Sequence, residues 1–204
     1  MMYDENYYKS INYVGYLDRG PRYEKLAEET MDLLKKLTLI NSNDSVLDYG
    51  CAVGFLMQGL TKLGYTNTTG FDISTWAVKE AQSKGLNVLQ EYGQEIQYRF
   101  RLGFFLDVLE HMSDNDIKKL LQEDLLCSVM IVRIPVSTDG KTFHLDVSKR
   151  DPTHINCKTK TQWHDLLQEC GFNVFLNLNL NTIFDSDGVM ACLCLRGNQS
   201  FCMK

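Results

Sequence analysis

From residue 45 to residue 196 the chain alternates short apolar runs with stretches of helical periodicity, and few folds accept that pattern. Residues 45–48 (SVLD) read as a strand and 55–63 as a helix. Residues 68–72 (TTGFD) form a second strand, followed by a helix over 75–84. A weak strand at 87–90 and another at 103–107 (GFFLD) precede a helix over 115–126, for which Ser113 and Asp114 are the caps. Residues 128–134 (SVMIVRI) make a buried strand ended by Pro135, and a helix over 160–170 stops at Gly171. Strands at 173–180 and 189–195 finish the pattern. Strands that alternate with helices build βαβ units on a mostly parallel sheet. Only a short turn at 185–188 separates the last two strands. Such a turn makes a hairpin, so one closing strand runs antiparallel.

Ahead of this unit, Tyr23, Leu26, Met31, Leu34 and Leu37 predict a helix beginning at Pro21, a residue suited to a first turn. Residues 1–20 are aromatic, polar and non-periodic, and read as an arm or short helix lying over the domain. Residues 21–197 then form one domain and 198–204 a tail. At 204 residues, 44% of them hydrophobic, the chain can bury a core without staples. Its seven cysteines include no CxxC pair, so neither a disulfide framework nor a zinc site is expected. They fit a reducing compartment. With no signal-like apolar core near residue 1 and no apolar run of about 18 residues, the chain reads as cytoplasmic, with no membrane partner. A net charge of −5 argues against nucleic acid as the main partner. Oligomeric state is not legible.

The chemistry concentrates at Val46-Leu47-Asp48-Tyr49-Gly50-Cys51-Ala52-Val53-Gly54-Phe55-Leu56, a strand entering a glycine-bearing turn and then a helix. Gly50 and Gly54 let the backbone turn sharply and leave room for a ligand against the main chain. The spacing is not GxGxxG, because Ala52 and Phe55 interrupt it. Asp48, just before the first glycine, would repel the pyrophosphate of a dinucleotide and attract the ammonium and sulfonium of S-adenosylmethionine. An NAD-dependent oxidoreductase is therefore the weaker alternative. Asp72, about 20 residues on and ending the next strand, is placed to hydrogen-bond a ribose diol. Leu106-Asp107-Val108-Leu109-Glu110-His111 closes the fourth strand.

With LDYGCAVGFL, GFDIS, LDVLEHM and IVRIPV in that order, the chain resembles the class I S-adenosylmethionine-dependent methyltransferases over residues 21–196. The resemblance implies a three-layer αβα sandwich, its seven-stranded, mostly parallel sheet carrying one antiparallel strand. It also implies S-adenosylmethionine as cofactor and S-adenosylhomocysteine as product. Asp48, Gly50, Cys51, Ala52 and Gly54 would border the methionine part. Asp72 and Ile73 would border the ribose side, and Asp107 and Val108 the transferable methyl. Two positions depart from the family pattern. Ala52 stands where glycine is common, and residues 90–101 lack the usual Gly-Asp at the adenine, leaving Gln94, Glu95 and Ile96 as nearest candidates. His111 reads as the start of a helix rather than as a catalytic group.

Residues 137–156 (STDGKTFHLDVSKRDPTHIN) form a long polar insertion after the fifth strand, and such loops are often functional. The run DPTHIN before a helix bearing Trp163 resembles a subset of these enzymes, several of which act on sugars or other small hydroxylated metabolites. The insertion is therefore expected to wall the acceptor pocket together with the tyrosine-rich arm. His154 is the first choice for a general base or acceptor orienter and His144 the second. HxD and DxxH are ligand-like spacings, yet direct contact with a small hydroxylated acceptor is the preferred reading and no metal is assigned. A non-catalytic module that binds S-adenosylmethionine is the remaining alternative.

Overall fold

The computed structural model describes residues 3–9, 15–90, 98–180 and 188–197, with Tyr98 described in its backbone only. The adenine candidates Gln94, Glu95 and Ile96, the tail at 198–204 and most of the closing turn lie outside the described residues.

Seven strands form one sheet in the order β3-β2-β1-β4-β5-β7-β6. They are β1 (Val46–Tyr49), β2 (Thr68–Phe71), β3 (Val88–Leu89), β4 (Tyr98–Leu106), β5 (Leu125–Pro135), β6 (Phe172–Asn177) and β7 (Val189–Arg196). Strands β1 to β5 pair in parallel, and β7 runs antiparallel to both β5 and β6. The expected hairpin is thus present, with β7 inserted between its neighbours. Among the described residues the α-helices are α1 (Glu5–Lys9), α2 (Gly20–Lys36), α3 (Phe55–Lys62), α4 (Thr75–Ser83), α5 (Asp114–Lys119), α6 (Asp146–Arg150) and α7 (Lys160–Glu169).

Alternation along the strands decides the layering. Leu47 and Phe105 point to one face with Met130 and Val132, where Ile117 of α5 and Trp163, Leu166 and Leu167 of α7 cover them. Val46, Phe104, Val129 and Ile131 point to the other face, under Leu26, Leu34, Leu56 and Leu60 of α2 and α3. Because both faces are covered, β5 is almost continuously apolar. The result is the three-layer αβα sandwich that the sequence implied, and among the described residues no helix is long and apolar enough to cross a membrane.

Two boundaries differ most from expectation. The helix over 115–126 ends at Lys119, passes through a π-turn (Leu120–Asp124) and gives way to β5 at Leu125. Strand β4 likewise starts at Tyr98 rather than at residue 103. The two departures share a cause, since Tyr98, Arg99 and Phe100 pair with Leu125, Leu126 and Cys127. Ladder bonds between the longer strands outweigh the helical spacing of LLQEDLL.

Candidate active site

The loops at the carboxyl ends of β1, β2, β4 and β5 meet over the point where strand order reverses. The chain first steps outward from β1 to β3, then returns to the other side of β1 with β4. Open α/β sheets bind ligands at such a point. A cavity of about 580 Å³ opens there, within the ordinary size of ligand sites.

Its floor is the loop after β1. Gly50 and Cys51 N–H both donate to the Phe71 carbonyl, at 2.7 and 3.0 Å, which folds the loop back across β2. Gly50, Ala52 and Gly54 all have positive φ, at 76°, 46° and 80°. A Cβ on Gly50 would stand 2.8 Å from Val108 Cγ2, and one on Gly54 2.3 Å from Leu86 Cδ1. The loop is therefore a cradle in which main chain faces the cavity, as a ligand carried against backbone requires. Ala52 takes the left-handed conformation that glycine would adopt without strain. Ala52 N–H compensates by donating to Asp72 Oδ2 at 2.8 Å.

Asp72 is 7% exposed and its other oxygen accepts from Ser74 N–H at 2.8 Å. Burial raises its pKa, and the two N–H donors hold it down. Ser74 caps α4 by accepting from Ala77 N–H, and its hydroxyl donates to the Tyr3 carbonyl at 2.5 Å. Thus one strand end joins the cradle, a helix start and the N-terminal arm.

The expected donor-side residues divide into two groups. Gly50, Ala52, Asp72, Ile73, Asp107 and Val108 line the cavity. Asp48, Cys51 and Gly54 do not; Asp48 belongs to β1, and Cys51 and Gly54 are loop residues turned away from the lining. Asp48 is 4% exposed, and burial with Asp72 nearby pushes its pKa up to about 8. Asp107, at φ 55°, ends β4 in an ion pair with the buried Arg133 of β5.

The insertion and the arm supply the opposite wall. Tyr3, Tyr7, Tyr8 and Tyr16 of the arm line the cavity, as do Leu145, Ser148, Asp151 and His154 of the insertion. Tyr8 packs against Trp76 and Tyr16, with ring centroids 5.2 and 5.6 Å apart, and Tyr7 donates to Asp151 Oδ2 at 3.0 Å. His144, the second choice for a general base, is placed differently. It is exposed and outside the lining, because the turn into α6 directs Leu145–Ser148 inward instead.

His154 sits beside His111, expected as a helix start, and beside Glu110, for which no role was expected. They follow Asp107 in a 3-10 turn (Leu109–His111), and both line the cavity. Burial, with His154 close by, lowers His111 to a pKa of about 4. Burial lowers His154 as well, against Asp151, which raises it. Both rings are neutral at ordinary pH, with a lone pair available. The LDVLEHM motif was the signal for Glu110 and His111. For Arg133, inside an apolar strand, the one local signal was its charge, and the tyrosines were legible as an arm but not as a wall.

Residues 19–176 match the methyltransferase domain family, and the chain belongs to that family. It is a Rossmann-like enzyme of the S-adenosylmethionine-dependent class. Similar solved structures agree in fold. Magnesium protoporphyrin IX methyltransferase from Synechocystis, with S-adenosylhomocysteine bound, has a TM-score of 0.63 at 21% identity, over 94% of this chain and 97% of that one. The methyltransferase domain of a bacterial Hen1 protein gives 0.62 at 18% identity, over 86% and 98%. A methyltransferase from Clostridium acetobutylicum gives 0.64 at 17%, over 86% and 92%. No curated protein matches the chain. Family membership sets the oxidoreductase alternative aside.

Proposed function

We propose that the chain methylates an oxygen of a small hydroxylated molecule, with the donor over the β1 loop and the acceptor against the insertion and the arm. The observation that carries this reading is the continuity of one cavity from Gly50, Ala52 and Asp72 to Tyr7, Ser148 and His154. The first end offers main chain and a carboxylate suited to the donor; the second offers hydroxyl, imidazole and carboxylate groups suited to an acceptor with several hydroxyls.

Bound there, S-adenosylmethionine supplies an electrophilic methyl and leaves as S-adenosylhomocysteine. Asp72 would accept from the ribose hydroxyls, and the apolar side chain of Ile73, 58% exposed, would border the ribose side. Gly50 and Ala52 would let the methionine portion approach the backbone, Asp48 would supply negative charge once a cation is near it, and Asp107 with Val108 would border the methyl. Alignment of the acceptor oxygen and exclusion of water then account for most of the rate. The tyrosine arm supplies the exclusion. His154 orients the acceptor and receives its proton, which its depressed pKa allows by keeping the ring neutral. Free cysteines at 51, 127, 157, 170, 192 and 194 fit a reducing, cytoplasmic setting.

Calorimetric titration with S-adenosylmethionine tests the donor half. Asp72→Ala should cost about 1–3 kcal/mol, through the lost ribose partner and the freed Ala52 and Ser74 amides; unchanged affinity removes Asp72 from the site. Release of S-adenosylhomocysteine over pools of sugars, other polyols, peptides and oligonucleotides tests the acceptor half. Turnover confined to peptides or oligonucleotides would overturn the small-molecule reading. His154→Ala should lower turnover about 100-fold with donor affinity nearly unchanged.

A further inference from the structure

Glu110 has no part in the transfer described above, yet its position demands an explanation. Its side chain is 0% exposed, and neither carboxylate oxygen has a hydrogen-bond partner. Buried carboxylates are ordinarily paired or coordinate metals. The groups around it are also ligands by nature. His154 Nε2 stands 3.9 Å from Glu110 Oε1 and 3.8 Å from Asp151 Oδ2. The His111 ring meets the His154 ring edge-on, with centroids 4.6 Å apart. One potential donor atom from each of Glu110, His111 and His154 lies within 4.8 Å of the other two. Atoms that share one ion at bonds of about 2.1 Å sit roughly 3–4.2 Å apart. The three therefore close around an ion with shifts of less than about one ångström.

The surroundings prepare the set for coordination. His111 Nδ1–H donates to the Thr153 carbonyl at 3.1 Å, so the other ring nitrogen keeps a lone pair. Thr153 is itself held by Asp151 Oδ1, which accepts from its N–H at 2.9 Å and from its hydroxyl at 2.5 Å. A carbonyl that fixes a histidine tautomer, itself fixed by a carboxylate, is the usual outer layer of a metal site.

We propose that Glu110, His111 and His154 bind a divalent first-row transition cation at the acceptor end of the cavity. Two imidazoles and one carboxylate suit manganese, iron or zinc, whereas calcium and magnesium prefer all-oxygen sets. Asp151 adds a second negative charge beside the ion. The positions open toward the cavity take an oxygen of the acceptor and orient it. The ion site rests on this cluster and not on the identity of the acceptor. It does revise one role given above, since a coordinated His154 is a ligand and no longer receives the acceptor proton.

Manganese alone is the probe. Full-length protein is freed of metal by chelation and titrated with Mn(II), and free Mn(II) is followed by electron paramagnetic resonance. One bound ion per chain, with affinity reduced at least about 10-fold in Glu110→Gln and in His111→Ala, is the expected result. Thermal unfolding of the unmodified chain should also shift upward with Mn(II), because the ion binds only the folded state. Absence of Mn(II) binding by the unmodified chain overturns the site whatever the variants do, as does undiminished binding by folded Glu110→Gln. Methylation at full rate after chelation, with no Mn(II) bound, removes the ion and leaves His154 as base. Mn(II) binding without turnover on any hydroxylated acceptor overturns the acceptor reading and leaves the ion site standing.

Discussion

Asp48 and Asp72 end neighbouring strands, and both are buried, yet their surroundings give them different work. Asp72 holds two backbone N–H groups and faces the cavity, whereas Asp48 lies in β1, outside the lining, with its pKa raised to about 8. At neutral pH Asp48 is therefore mostly protonated until a cation comes near it. Donor affinity should rise with pH and level off above about 8, with proton release detectable by calorimetry in buffers of different ionisation enthalpy. The stability consequence has the opposite sign. A group whose folded pKa exceeds its unfolded value stabilises fully below the unfolded value and loses that contribution as pH rises through the folded one. Asp48→Asn carries no charge to bury. Its melting temperature should fall less than that of the unmodified chain between about pH 6 and about pH 9, while its donor affinity is weaker and independent of pH. Parallel melting profiles in the two proteins would show that the Asp48 carboxyl stays solvated and ionised in the folded chain as in the unfolded one.

At the scale of elements, the N-terminal arm and the β1 loop do different jobs. Helix α1 has only five residues and no stability of its own. It is held by contacts beyond itself, with Tyr8 against Trp76 and Tyr16, and Tyr7 on Asp151. An element so weakly rooted is suited to open and reclose over a ligand. Tyr8→Ala should speed donor dissociation more than it slows association, measured by stopped-flow, with little change in melting temperature. Equal dissociation rates in the two proteins would mean that the arm does not cover the donor. The loop, by contrast, is rigid because its backbone is specified. Gly54→Ala would place a Cβ 2.3 Å from Leu86 Cδ1 at φ 80°. A loss of about 1–3 kcal/mol in urea unfolding is expected, and a neutral substitution would show that the turn relaxes.

The whole molecule depends on two covered faces rather than on any staple. Trp163 of α7 is 0% exposed within the larger core cluster, beside Leu166, Leu167 and Cys192. Its indole N–H has no partner, so apolar burial is what it contributes. Trp163→Ala should cost about 3–5 kcal/mol, a large share of the roughly 5–15 kcal/mol that hold an ordinary domain together. Denaturant midpoints read this directly, and a loss under about 1 kcal/mol would mean that the site collapses around the smaller residue.

The alternation of strands and helices, the glycine turn at Gly50 and Gly54, and the acidic strand ends at Asp48, Asp72 and Asp107 were all legible in the sequence. Each depends on local periodicity or turn chemistry, which a few consecutive residues carry. The hairpin fixed one antiparallel strand for the same reason, since a short turn leaves the chain no other course. The start of β5 was not legible, because Leu125 is strand only when Tyr98 pairs with it. Nor was the far wall of the cavity. Tyr7 and Asp151 are 144 positions apart, and His111 and Thr153 are 42 apart. Apolar patterning says which face of an element is buried, but not which polar groups from distant loops converge above the strand ends. Packing of α1, the 3-10 turn and the insertion onto one sheet edge decided that His154 meets Glu110 and His111, and that His144 stays outside.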